Sequence, residues 1–230
     1  MTERFSGFPA DALTFLSELT ANNTREWFEP MKERYEASVR GPALAFISAM
    51  TDPIQSVSPH FTAIAKKTGG SLMRPYRDIR FSPDKTPYKT NVGIQFRHEV
   101  GKDVHAPGFY LHISADESFV GVGLWRPDKI PLADIRSAIS DSPDEYRGII
   151  TGKRFTSKFA LEGESLKRPP KGFDPDHPLI AEIMRKDFIA SHNMTSEAIV
   201  DDTLISTVTG LFRASAPWVE FLCGALGLDF

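Results

Sequence analysis

The stretch from residue 74 to 89, "RPYRDIRFSPDKTPYK", packs three arginines, two lysines, two aspartates and two tyrosines into sixteen positions, with three prolines between them. Guanidinium groups bind phosphate or carboxylate through two parallel hydrogen bonds, a geometry that lysine cannot reproduce. Arg74, Arg77 and Arg80 stand three residues apart. In a helix or turn they lie near one face; in an extended chain Arg74 and Arg80 share one side and Arg77 takes the other. Asp78 is placed to orient one arginine and leave another for a ligand. Lys85 can neutralise developing phosphate charge, and Tyr88 can donate a hydrogen bond or a proton. The competing reading is a structural clasp, an Arg–Asp network that pins a long loop with Phe81 as its apolar anchor. Ser82-Pro83-Asp84 and Thr86-Pro87 carry strong turn chemistry and favour that reading for their own positions.

Charge is distributed unevenly around this stretch. Residues 63–97 hold eight basic residues against Asp78 and Asp84, a surplus of six in a chain whose overall formal charge is −3. Such asymmetry fits an anionic partner, or basic and acidic regions that face each other in the fold. Cys223 is the only cysteine, so no intrachain disulfide and no cysteine-based zinc site can form. The histidines follow no metal-ligand spacing: His98 and His105 flank a hairpin, and His177 sits in the turn "DPDHP". No metal site is expected, and no cofactor follows from the sequence. The phosphate loop, the dinucleotide fingerprint and the nucleophile elbow are absent. Apolar runs such as "FLCGALGL" fall far short of the roughly 20 residues of a membrane span, and the opening residues show no h-region. A cytoplasmic protein without membrane contact is expected.

The elements that must position these residues follow from periodicity. "FPADALTFLSELTANN" carries a helical apolar stripe, and Asn22-Asn23-Thr24 supplies stop and N-cap chemistry. A second helical stretch runs to Met50, divided at Pro30 and at Gly41-Pro42. The period then changes to two. "NVGIQFRHEV", "GFYLHIS" and "FVGVGLW" read as three antiparallel strands of a meander whose apolar face covers helices. Gln95, Arg97, Tyr110, His112 and Trp125 fall on the opposite face, where Gly121 and Gly123 leave room for another element or a ligand. This reading depends on register. His112 is the acid/base candidate there, because the reference pKa of histidine is near neutral. Two helices meeting at Ser142-Pro143, a strand or hairpin in "RFTSKFALEG", a surface loop over "SLKRPPKGFDPDHP", a short helix in "LIAEIMRK" and a strand in "DFIASHN" follow. A C-terminal helix broken near Pro217 completes an α+β chain, read as one compact domain over residues 1–230 with a mainly antiparallel sheet between N- and C-terminal helices.

Arg74-x-x-Arg77-Asp78-x-Arg80-Phe81, followed by Asp84-Lys85-x-x-Tyr88, resembles the defining motif of a bacterial family of conserved hypothetical proteins, a domain of unknown function. "FPADALTFLSELTANNTREWF", "GFYLHIS", "GVGLWRP" and "KRPPKGFDPDHPL" are similar to that family as well, so the likeness runs over essentially the whole chain. The resemblance implies one compact domain with a site at the motif, and no reaction.

The leading expectation is therefore a pocket for a phosphate- or carboxylate-bearing small molecule. Arg74, Arg77, Arg80, Lys85 and Arg97 form its ligand-binding set, and Asp78, Tyr88 and His112 are the residues able to transfer protons. The first alternative is a nucleic-acid-binding module in which Tyr76, Phe81 and Tyr88 stack on bases between basic residues. The second is a protein-interaction domain using "WVEFLCGALGLDF". Oligomeric state stays open.

Overall fold

A computed structural model describes residues 5–101 and 106–230; His105 lies outside them. Six antiparallel strands form one sheet: β1 (Phe61–Thr62), β2 (Asn91–His98), β3 (Gly108–Ser114), β4 (Ser118–Leu124), β5 (Ala160–Glu162) and β6 (Phe188–Met194), in the order β1-β2-β3-β4-β6-β5. The meander is β2-β3-β4, in the expected register: Gln95 pairs with Tyr110, Gly93 with His112, Tyr110 with Gly121, and His112 with Phe119. Val92, Ile94 and Phe96 of β2, Phe109, Leu111 and Ile113 of β3, and Val120, Val122 and Leu124 of β4 are all buried on the other face. The fold is α+β, with helices gathered at both ends of the chain.

The N-terminal part supplies α1 (Ala10–Ala21), α2 (Arg25–Phe28), α3 (Lys32–Tyr35), α4 (Gly41–Ala49) and α5 (Thr51–Gln55). Thr24 caps α2, its hydroxyl accepting from the Trp27 N–H at 3.2 Å. Pro30 falls in a 3₁₀ turn at Glu29–Met31. The expected break at Gly41-Pro42 does not occur. Residues Glu36–Arg40 widen into a π-turn, and the Gly41 N–H reaches back to the carbonyl of Glu36. That carbonyl lies 2.8 Å from where a Cβ on Gly41 would stand, so the close approach needs glycine.

Beyond the meander come α6 (Lys129–Asp141), α7 (Pro143–Thr151), α8 (Lys153–Thr156), α9 (Ile180–Ile183), α10 (Ser196–Val200) and α11 (Leu204–Ala225). "RFTSKFALEG" divides into the helical turn α8 and the strand β5. The C-terminal helix is continuous through Pro217, contrary to the expected break. Proline at 217 leaves the carbonyl of Arg213, four residues earlier, without its helical donor. The Arg154 guanidinium of α8 donates to that carbonyl instead. The lost bond is thus replaced by one between elements.

Helix α11 lies against β4, and Phe212 joins an aromatic core with Phe96 (5.7 Å between ring centroids) and Phe109 (4.7 Å). Burying each such ring stabilises the fold by about 1.5–3 kcal/mol. Cys223 is buried in this core, its thiol pushed up to about 12 mainly by desolvation. At Gly123 the room is taken by another element, α11, and not by a ligand. The glycine's φ is +101°, and a Cβ there would stand 2.8 Å from the Trp218 ring and 2.1 Å from the Phe188 carbonyl oxygen. Trp218 fills that space, its indole N–H donating to the Tyr146 hydroxyl at 3.4 Å. Gly123→Ala combines a forbidden backbone conformation with overpacking, and is expected to cost on the order of 3 kcal/mol in urea denaturation, against little change for Gly148→Ala, where a Cβ meets open space.

Candidate functional site

Residues 74–89 leave and rejoin the sheet at the edge of β2. Met73 donates to the Gly93 carbonyl (2.9 Å) and Gln95 to the Ser71 carbonyl (2.8 Å), so residues 71–73 run antiparallel along β2. The motif then folds back on itself as an irregular hairpin. Arg77 N–H donates to the Pro87 carbonyl (3.0 Å), Lys89 N–H donates to the Pro75 carbonyl (2.7 Å), and Tyr76 bridges Tyr88. Successive extended residues point to opposite faces, so Tyr88 and Lys89 look in different directions.

Tyr88 turns toward the helices. Its ring is buried and stacks on Phe28 with centroids 4.1 Å apart. Its hydroxyl is pushed up by desolvation, first of all. The side-chain amide of Asn23 grips its backbone from both directions: Nδ2 donates to the Tyr88 carbonyl (2.9 Å) and Oδ1 accepts from the Tyr88 N–H (3.0 Å). Tyr88 therefore anchors the hairpin and does not line the face that carries Lys89.

Two motif arginines are held by the motif's own acids. Arg80 binds Asp78 through Nε (2.9 Å) and Nη2 (2.7 Å), which holds the Asp78 carboxyl far below the usual carboxylate range. Arg77 donates from Nη1 to Asp84 and to the Thr86 hydroxyl (2.8 Å). Asp84 is lowered chiefly by its bond from the Thr86 N–H. Lys85 donates to the Ile79 carbonyl at 2.9 Å. Arg74 is exposed, close enough to influence both Asp78 and Lys89. Phe81 is 93% exposed and anchors nothing; the anchor of the hairpin is Tyr88. Arg97 is exposed on the same polar face but at the β1 end of β2, where it donates to Gln95 (3.1 Å), and it is not among the residues lining the groove.

The other face of the hairpin meets the polar face of the sheet. Between them lies an open groove of about 420 Å³ whose walls include Met73, Arg77, Asp78, Lys89, Asn91, Tyr110 and His112. Larger depressions exist, one of about 770 Å³ beside α11, but its walls are mostly small and apolar residues with only Asp202 and Arg213 charged. Another, of about 480 Å³, has Arg126, Arg136, Glu164, Lys186 and Asp187 in its walls, but the motif's own residues line the smaller groove. The Tyr110 hydroxyl and Nδ1 of His112 share a hydrogen bond (3.1 Å), and Asn91 Nδ2 stands 3.5 Å from the same nitrogen. The imidazole stacks on Phe119 at 4.7 Å, and desolvation lowers its pKa against the pull of Glu117. Burial pushes the Tyr110 hydroxyl up to about 12. Gly93 makes this approach feasible, since a Cβ there would stand 2.8 Å from the Tyr110 oxygen and 2.9 Å from the Met73 sulfur.

Lys89 is the residue that the motif reading passed over. It is half-buried, its Nζ has Met73 Sδ at 3.9 Å, and no carboxylate pairs with it among the described residues. Desolvation and the nearby Arg74 lower its pKa. The available signal was its position, last in the motif and two residues before β2, which forces it against the sheet. Among the described residues no three His, Cys, Asp or Glu side chains are grouped to hold a metal ion, and no helix is long and apolar enough to cross a membrane.

The model of the family of conserved hypothetical proteins DUF2461 matches residues 11–221. The chain belongs to that family. No curated protein and no solved structure matched it.

Asn23→Ala removes both amide bonds to Tyr88 and is expected to cost about 1–3 kcal/mol, with the Tyr88 amide losing hydrogen-exchange protection. His112, whose folded pKa lies below its unfolded value of 6.5, binds its proton more readily when unfolded. Its contribution is complete above about pH 6.5 and declines as the pH falls through the folded pKa. Denaturation between pH 7.5 and 5.5 is expected to show a smaller loss of stability in His112→Gln than in the native chain.

Proposed function

We propose that the groove binds a small molecule bearing a phosphate or carboxylate group. The observation that carries this reading is Lys89, a half-buried ammonium with no carboxylate partner among the described residues. A buried charge left without a counter-charge is costly, and an anionic ligand removes that cost. Arg77 supports the same reading, since both of its hydrogen bonds leave from Nη1, and Nε and Nη2 have no acceptor among the described residues. Arg74 adds positive potential at the mouth. The hydrogen-bonded Tyr110–His112 pair keeps one neutral donor for a ligand. In this assignment Arg80 and Asp78 shape the hairpin, Lys85 braces its tip, and Arg97 takes no part.

The test is a thermal-shift titration with phosphate, sugar phosphates and small carboxylates, since a ligand that binds the native state raises its apparent stability. A saturable shift is expected that is lost in Lys89→Met and kept in Arg97→Ala. Equal shifts in all three proteins would refute a site in the groove. Affinity is also expected to fall on the alkaline side at a pH below that of an ordinary lysine, because only the protonated amine attracts the anion.

One observation favours a second reading. The hairpin exposes Phe81 almost fully at its tip and Tyr76 by 49% at its base, with the Arg80 guanidinium 5.9 Å from the Phe81 ring centre. Exposed rings among cations are stacking platforms for single-stranded nucleic acid. Binding of oligonucleotides that weakens steeply with salt and is lost in Phe81→Ser would favour this reading.

A further inference from the structure

Resting on the groove as an anion site, we infer that Lys89 is a nucleophile that forms an imine with a small anion carrying an aldehyde or ketone. The positional argument comes first. Lys89 is fixed at its backbone by the bond to Pro75 and at its base by the adjoining strand β2, so its amine is presented at a defined depth in the groove. The exposed Lys67 has Glu36 at 3.4 Å; Lys89 has a thioether.

The groups facing Lys89 are mostly cationic or neutral. On its own hairpin stand Arg74, Arg77 and Asp78, the last of these bound by Arg80. From β3 come Tyr110 and His112. Behind it, the π-turn brings Tyr35 and Arg40 to the wall of a second, enclosed void of about 10 Å³ that Lys89 also lines, with Arg40 paired to Glu36. A lysine that is desolvated and lies beside another cation is the arrangement that frees its amine for attack at neutral pH. The lowered pKa of Lys89 agrees with this placement.

The chemistry balances without an oxidant or reductant. The Lys89 Nζ lone pair attacks the carbonyl carbon and a C–N bond forms. The carbonyl oxygen takes a proton to give a carbinolamine. That oxygen then leaves with a second proton as water, and a C=N bond remains. Both protons lost by the amine end in the water molecule. The Arg77 guanidinium holds the anionic end, Arg74 adds positive potential, and the Tyr110–His112 pair provides a proton relay on the groove wall.

The probes are glyoxylate, an anionic aldehyde, and propanal, a neutral one, each trapped with cyanoborohydride at neutral pH and mapped by peptide mass spectrometry. Glyoxylate is expected to mark Lys89 at least about tenfold faster than Lys67, because the bound anion raises its effective concentration at the amine. Phosphate should slow the labelling of Lys89 alone. Lys89→Arg, which keeps the charge, should lose that label while retaining a phosphate thermal shift. Labelling of Lys89 no faster than Lys67 with either aldehyde overturns the imine, whatever phosphate does to stability. Preferential labelling by propanal without a phosphate effect would instead overturn the anion site and leave the nucleophile standing.

Discussion

The double hydrogen bond between the Asn23 amide and the backbone of Tyr88 decides where everything else in the motif can lie. An amide side chain offers one donor and one acceptor side by side, as a neighbouring strand would, so it pairs with an extended residue that has no strand beside it. Stacking of Tyr88 on Phe28 fixes the same residue from its side-chain end. With one face of residue 88 committed to α2, residue 89 has only the opposite face. The groove is a consequence of that alternation. The linker between α1 and α2 and the basic hairpin, 65 positions apart in the chain, are thus parts of one device.

The motif's charges divide into two populations. Asp78 and Asp84 engage Arg80 and Arg77 within the hairpin, in pairs that are solvent-exposed and so contribute modestly to stability while setting geometry. Lys89 has no such acid among the described residues and lies in the groove wall, which it shares with Arg77. One stretch therefore holds its own hairpin in shape and lines a groove with two of its cations.

The meander was legible because alternation over seven or eight residues is an unambiguous signal, and its buried positions followed from the same pattern. The proline breaks were not, because each was relieved by a partner the local sequence does not show: the Arg154 side chain at Pro217 and the widened π-turn before Pro42. Of the site, His112 and its face could be read from register alone. Tyr88 and Phe81 exchanged their expected parts, since burial of one aromatic residue over another is settled by helices far away in sequence. Lys89 was hidden by its ordinariness: nothing in a lysine at the end of a basic stretch tells that its neighbours are a thioether and an imidazole-bearing wall.

The sheet is long in its middle and short at both borders. β1 contributes two residues and β5 three, and the run of residues 71–73 occupies the outer edge of β2 where β1 stops. Unpaired strand backbone is what allows one chain to add itself to another. Among the described residues the border strands offer only two or three residues each for such pairing, so sheet extension has little length to work with here.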